Sequence, residues 1–324
     1  MDRWVKCVST IALGTAAIVG AAAADDRQDC MSYGERVDLP AGVFRVRVNP
    51  AFVDDVMASA DAAIAACTRA TTKSGPDTGR DLVPLLVNRG RAHQMKGNHV
   101  SAFLDFHMAI SLDPQNAVAL TSRGNLYRER GNVSGAPDDF GLAIADLDAA
   151  IKIDPNNAGA LEVRANAYAG KDNFGAAVAD FNEAVRLDPK NPARLLARGN
   201  FYFKNDKPDL AIADFNAALE LGLPDGSRSD FNARALISRA LAHEKKGDEA
   251  GKLADLGEAI RRGSEPDNVT FALISRAVVY QSRGELDRAI ADVTKALSLY
   301  PDNQRMRKRL EEVRNGLSAA RSPK

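Results

Sequence analysis

The 324-residue chain has little of several residue types: three cysteines, one tryptophan, four histidines, and 6% aromatics. No third or fourth Cys or His stands at ligand spacing, which excludes a structural zinc site and implies no metal. Lys plus Arg and Asp plus Glu both number 43. That balance supplies no field for nucleic acid or an anionic membrane surface. A Gly-rich phosphate loop, an H-E-x-x-H pair and a G-x-S-x-G elbow are all missing, so no cofactor is implied. With 45% hydrophobic and 27% charged residues, the chain still has material for a sizeable core.

Residues 1–24 hold the one long apolar run. Arg3 and Lys6 precede it, Cys7 to Ala24 is apolar and small, and Ala22-Ala23-Ala24 offers a cleavage site before Asp25-Asp26. This reads as a cleaved signal peptide, with an uncleaved anchor as the alternative; the run is barely long enough to span a bilayer. The expected location is periplasmic or secreted, with no stable membrane span after cleavage. Loss of Arg3, Lys6 and Asp2 leaves 43 − 2 = 41 basic and 43 − 1 = 42 acidic residues. Cys30 and Cys67 then remain, an even count suited to an oxidising compartment. A bridge between them would close a loop of about 37 residues and stabilise by roughly 3–4 kcal/mol; two buried thiols are the alternative.

A Gly or Ala follows an Arg at Arg89-Gly90, Arg123-Gly124, Arg164-Ala165, Arg198-Gly199, Arg239-Ala240 and Arg276-Ala277, at intervals of 34, 41, 34, 41 and 37 residues. A Leu stands three residues before each Arg and a Tyr or His ring four residues after it. Those offsets place the residues on one helical stripe. A second amphipathic segment follows in every unit, clearest over Ala211 to Leu219, and several end in Asp-Pro, which stops a helix. Gly97-Asn98, Gly131-Asn132, Gly247-Asp248 and Gly284-Glu285 read as tight turns between the two helices. Each Arg has an Asp to match on the second helix: Arg89/Asp105, Arg123/Asp146, Arg164/Asp180, Arg198/Asp214, Arg239/Asp255 and Arg276/Asp292. The pairs read as a binding ladder or as structural ion pairs. Six copies favour structure, because a ligand site rarely needs the same pair in every unit.

This pattern resembles the tetratricopeptide repeat, in six copies from about Leu82 to Pro301. The resemblance implies an all-α protein, a right-handed α-solenoid of helix-turn-helix units. The expected organisation is a signal peptide over 1–24, a degenerate N-terminal helical cap over 25–75, repeats over 76–301, and a capping helix and tail over 302–324. About seven extra residues fall near Asn132–Asp139 and seven more near Gly222–Ser229. The fifth unit has Lys252 in place of Ala and no Asp-Pro ending, so the solenoid is expected to bend or loosen there.

By the same resemblance, the first helices line a concave face, and the residue after the small Gly or Ala points into it. That column is Arg91, Asn125, Asn166, Asn200, Leu241 and Val278. An Asn amide donates and accepts at once, so three in succession suit an extended peptide backbone. The alternative is that Asn is merely small and soluble. Phe203, Ile237, Leu241, Phe271, Ile274 and Val278 would continue the face as an apolar partner site, unless a neighbouring element covers them. A clamp for a partner's C-terminal carboxylate, known in this family, is not matched by Val87, Thr121 and Glu162. The expected function is an exported scaffold or adaptor, not an enzyme, that binds another protein or peptide in its groove. A second reading is an accessory subunit of a cell-envelope enzyme or secretion complex, docking through its convex face or its basic C-terminal helix. An enzyme with its site in the N-terminal cap is a third, and that cap contains no His. Oligomeric state is left open.

Overall fold

A computed structural model describes residues 60–69, 82–222 and 228–321. Expectations for the signal peptide, for Cys30 and for most of the 25–75 cap fall outside the described residues. The described residues are helical, without a strand. A helix over residues 60–69 (α1) is followed by α2 (Val83–Met95), α3 (His99–Leu112), α4 (Ala117–Ser134), α5 (Pro137–Ile153), α6 (Ala158–Gly170) and α7 (Phe174–Leu187). The rest are α8 (Pro192–Lys204), α9 (Pro208–Leu221), α10 (Arg228–Lys245), α11 (Glu249–Arg262), α12 (Pro266–Ser282), α13 (Leu286–Ser298) and α14 (Gln304–Arg321). The chain divides after Pro189, so α1–α7 form one compact unit and α8–α14 another.

Within each unit, consecutive helices pair and the pairs stack. Local chemistry sets the breaks. Asp113 and Asp154 end α3 and α5 in extended conformations, as a residue before proline must. Asn116 and Asn157 then accept a hydrogen bond from the third backbone N–H beyond them, 2.9 Å in both cases, and so cap the next helix. Inside the pairs, Gly97, Gly247 and Gly284 turn the chain at φ of 72°, 72° and 75°. Repeats three and four do the same with Asp172 and Asp206, at φ of 55° and 53°. Left-handed backbone is costly for a side-chain-bearing residue, though least so for Asp and Asn.

The turn expected at Gly131-Asn132 is not there. α4 runs on to Ser134, and Gly135, left-handed at φ 69°, ends it. The seven extra residues amount to about two helical turns, and they lengthen α4 and α5 instead of forming a loop. Gly131 is buried inside the helix, where a Cβ would lie 3.0 Å from the Phe140 ring. Arg130 closes the extension with two bonds to Asp139, at 2.9 and 2.5 Å. The Arg130 guanidinium holds the Asp139 carboxyl below its usual range.

The fifth repeat is not loosened at Lys252. Its stem is buried and its Nζ reaches Glu244 at 2.5 Å. In place of Asp-Pro, Asp230 of α10 accepts bonds from the Ser264 and Glu265 backbone N–H groups, at 3.0 and 2.9 Å. Small residues bring paired helices close. A Cβ on Gly90 or Gly199 would stand 2.6 Å from the Phe106 or Phe215 ring. The unit ends are covered: Cys67 of α1 is fully buried against Leu85, and Leu310 and Leu317 of α14 close the core of the second unit.

The candidate first-helix binding face

All six Arg–Asp pairs form, each joining the first helix of a repeat to its second through two parallel bonds. Nε and Nη2 of Arg123 both donate to Asp146 at 2.7 Å, and Arg164 binds Asp180 in the same way at 2.7 Å. Arg276 donates to Asp292 at 2.8 and 2.7 Å. The bonds of Arg89 to Asp105, Arg198 to Asp214 and Arg239 to Asp255 span 2.5–2.9 Å.

Burial favours the structural reading of these pairs over the binding-ladder alternative. Asp105, Asp146, Asp180, Asp214, Asp255 and Asp292 are all buried. Even Asp146, at 8% exposed, offers no surface to a ligand, and Asp292 is at 6%. Both oxygens of each carboxylate are taken by the Arg of its own repeat, because the two helices pack close enough to enclose the pair. These aspartates belong to the interior and not to the binding face.

Arg Nη1 makes a second connection backward, to the second helix of the preceding repeat. It reaches Thr68 from Arg89 (3.3 Å), His107 from Arg123 (3.1 Å), Asp148 from Arg164 (2.7 Å) and Asn216 from Arg239 (2.6 Å). The acceptor always stands two residues after the Asp position, except at Gly257 of the fifth repeat. The bond to Asp180 raises the Arg164 pKa, burial opposes it, and Asp148 adds to the rise. These arginines are occupied within the fold and leave the first-helix face to other residues.

In the first unit that face is polar and largely self-satisfied. Asn125 is 5% exposed. Its carbonyl oxygen accepts from Arg128 Nε and Nη2 (3.0 and 2.7 Å), and its amide nitrogen donates to Glu129 (3.2 Å). Burial holds Arg128 below the usual guanidinium range, against the pull of Glu129 and Glu162. Asn166 is half-buried and donates to the Glu162 carbonyl one turn back, at 2.8 Å. Arg91 is half-buried on α2. In the second unit Asn200 is half-buried and its amide has no partner among the described residues. The expectation of three equivalent open amides therefore needs correcting: Asn125 is closed, Asn166 has spent a donor, and Asn200 is open. Neighbouring charges cause this, since Arg128 and Glu129 lie within one turn of Asn125.

The second unit presents the apolar side chains. On α12, Phe271 and Val278 are 46% and 55% exposed, with Ile274 half-buried between them at helical spacing. On the neighbouring α10, Ile237 and Leu241 are half-buried on one stripe. Ile237 and Ile274 pack at their bases against the core of the unit, which fixes the stripe in place. Phe203 of α8 lies under Lys245, whose Nζ is 4.6 Å from the ring centroid and donates to the Phe203 carbonyl at 3.0 Å.

Sequence reading missed Arg234. It stands on the stripe of Ile237 and Leu241, three and seven residues earlier. Its Nε is buried without an acceptor, and it forms no ion pair among the described residues. Burial pushes its pKa down, opposed by Asp230 one turn back. The same position in the other repeats is Pro84, Val118, Gly159, Ala193 and Phe271. A lone cation in that column was the available signal.

Among the described residues no group of three or more His, Cys, Asp or Glu is placed to hold a metal ion. None of their helices is long and apolar enough to cross a membrane.

Models of the tetratricopeptide repeat match residues 138–192 and 196–268, and a further one matches 272–303. The chain is built of tetratricopeptide repeats. A 48-residue stretch is 42% identical to Tetratricopeptide repeat protein 14 of Mus musculus, covering 15% of this chain and 6% of that protein's length. Among solved structures, a tetratricopeptide repeat protein from Parabacteroides merdae aligns over 90% of this chain and 100% of its own, with a TM-score of 0.57 and 19% identity. The APC/C hetero-tetramer Cut9-Hcn1 covers 88% of this chain and 53% of its own at 0.58 and 16%, and pilF of Pseudomonas aeruginosa covers 74% and 99% at 0.51 and 18%. At such identities the likeness is one of fold: an all-α tetratricopeptide scaffold, a class that binds other proteins or peptides.

Proposed function

We propose that this tetratricopeptide protein is an exported scaffold that holds a polypeptide segment on the first-helix face of its second unit, and that it acts by binding, not by catalysis. One observation carries the reading. Phe271, Ile274 and Val278 form a partly exposed apolar stripe on α12, alongside Ile237 and Leu241 on α10. Exposed apolar side chains that share a stripe and are anchored in a core mark a partner site more often than a bare surface. Asn200 adds an open amide that can donate to and accept from a peptide backbone. The first unit contributes less, because Asn125 and Arg128 satisfy each other.

The test is equilibrium binding of extended apolar peptides to the full chain and to its Val278→Asp variant. Val278 is exposed, so the variant keeps the core. Val278→Asp should weaken binding; equal affinities would remove the stripe from the mechanism.

Export rests on residues 1–24 and on the cysteine count. A disulfide between Cys30 and Cys67 would pin the N-terminal segment to α1, where Cys67 is buried. Thiol titration of denatured protein purified from the envelope fraction should find neither cysteine reactive before reduction and both after it. The docking alternative has Arg305, Lys308 and Arg309 of α14 in its favour, all exposed. Complex formation lost on truncation after Pro301, with peptide binding kept, would support it.

A further inference from the structure

The apolar stripe carries a charge that the fold does not use. Arg234 has a buried Nε without an acceptor and no ion pair among the described residues. Three other charged groups on α10 are occupied: Glu244 by Lys252, Lys245 by Asp206, and Arg239 by Asp255. Asp230, the nearest acid, already accepts from Ser264 and Glu265. A half-buried guanidinium without a carboxylate costs stability, and native chains rarely keep one without a use.

Its position defines the missing partner. α10 lies between α8 and α12 among the first helices of the unit. The cation thus sits on the middle helix, level in the repeat register with Ala193 on one neighbour and Phe271 on the other. A segment crossing all three helices meets Arg234 midway, with apolar contacts before and after it. A chain terminus would stop there and leave part of the stripe bare.

We propose that Arg234 receives the carboxylate of an internal Asp or Glu in a partner segment whose flanking apolar residues lie on Ile237, Leu241, Phe271, Ile274 and Val278. This deepens the binding-face reading above and rests on it. The guanidinium presents a fork of N–H donors to a carboxylate. Arg234 then selects one sequence class over apolar segments in general.

Two fluorescein-labelled nonapeptide pools test this on the full chain. Both carry Leu, Ile, Val or Phe at the four positions around the centre. One has a central Glu, the other a central Gln. The Glu pool should bind about 10-fold tighter than the Gln pool. Arg234→Gln should abolish that gap, and added salt should narrow it by screening the charge pair. Val278→Asp should weaken both pools. If the two pools bind wild type equally while Val278→Asp weakens both, the carboxylate is wrong and the apolar face stands. If neither pool binds, or Val278→Asp changes nothing, both are overturned. Fold stability gives an independent check. Arg234→Met should unfold at the same or a higher denaturant concentration than wild type. A clear loss of stability would mean the guanidinium is already satisfied within the fold, which also overturns the proposal.

Discussion

Gly199 and Phe215 show how closely paired helices approach, and how that approach can be probed. A Cβ at Gly199 would lie 2.6 and 2.9 Å from Phe215 Cε1 and Cδ1, and 3.2 Å from Asp214 Cβ. Ordinary contact begins near 3.4 Å, so the ring or the helix must move by 3.4 − 2.6, about 0.8 Å. The ring has little room, because Phe215 is fully buried and Asp214 beside it is held by Arg198. Overpacking of this kind costs about 1–3 kcal/mol. Gly→Ala in a helix returns about 1 kcal/mol. Gly199→Ala should therefore destabilise by about 1 kcal/mol, within a span of roughly 0–2. Phe215→Leu alone should cost about 1 kcal/mol through the space it leaves. Together they should nearly cancel, because Leu256 and Val293 stand at the Phe215 position where the small residue is Ala240 or Ala277. Repeat three, with Ala165 and Phe181 at these positions, shows that the spacing can adapt to Ala, and it keeps the estimate at the low end. Urea unfolding followed by circular dichroism measures all four proteins. A coupling of about 1 kcal/mol or more is expected. Gly199→Ala at or above wild-type stability, with strictly additive effects, would refute the reasoning.

Three further outcomes are expected. Asp172→Gly should stabilise by up to about 1 kcal/mol, since Asp172 holds φ 55° at a turn where other repeats use glycine; a lower urea midpoint would contradict this. Burial pushes the His93 imidazole below its ordinary pKa, against the pull of Asp105. The unfolded chain therefore binds that proton more readily, and stability falls as pH drops through about 6.5. His93→Tyr, which installs the ring of four other repeats, should remove His93's share of that fall, and an unchanged pH profile would count against it. Arg164→Met should cost about 3 kcal/mol by stranding buried Asp180. Arg276→Met strands Asp292 in the same way but should cost less by up to about 1 kcal/mol, because Gly257 stands where Arg164 finds Asp148; the reverse order in urea midpoints would refute the backward connection.

Much of the fold was legible because the repeat forces it. Leu, small residue and ring at offsets of three and four define a helical stripe, and Asp-Pro stops the following helix. The Arg–Asp spacing placed both members of each pair correctly, since the two helices of a repeat are antiparallel and of near-constant length. Even Asp146, seven residues further along than its counterparts, kept its partner, because α4 and α5 lengthen together. The second repeat was misread at Gly131, because glycine signals a turn and a close helix contact alike. Here Phe140 demanded contact, while Gly135 supplied the turn. The candidate site was legible only in part. Apolar side chains on the first-helix face of α10 and α12 followed from the family resemblance, but an Asn column says nothing of whether its amides are spoken for. Arg128 and Glu129, within one turn of Asn125, decided that. Arg234 escaped because an isolated charge reads as solvated surface until the burial of its Nε is known.

The most direct test is a methyl-labelled NMR titration of the full chain with the central-Glu peptide pool. Shifts concentrated at Ile237, Leu241, Ile274 and Val278, with Val100, Leu104 and Val133 of the first unit unmoved, are the predicted result. Shifts confined to the first unit, or none at saturating peptide, would contradict a binding face on α10 and α12.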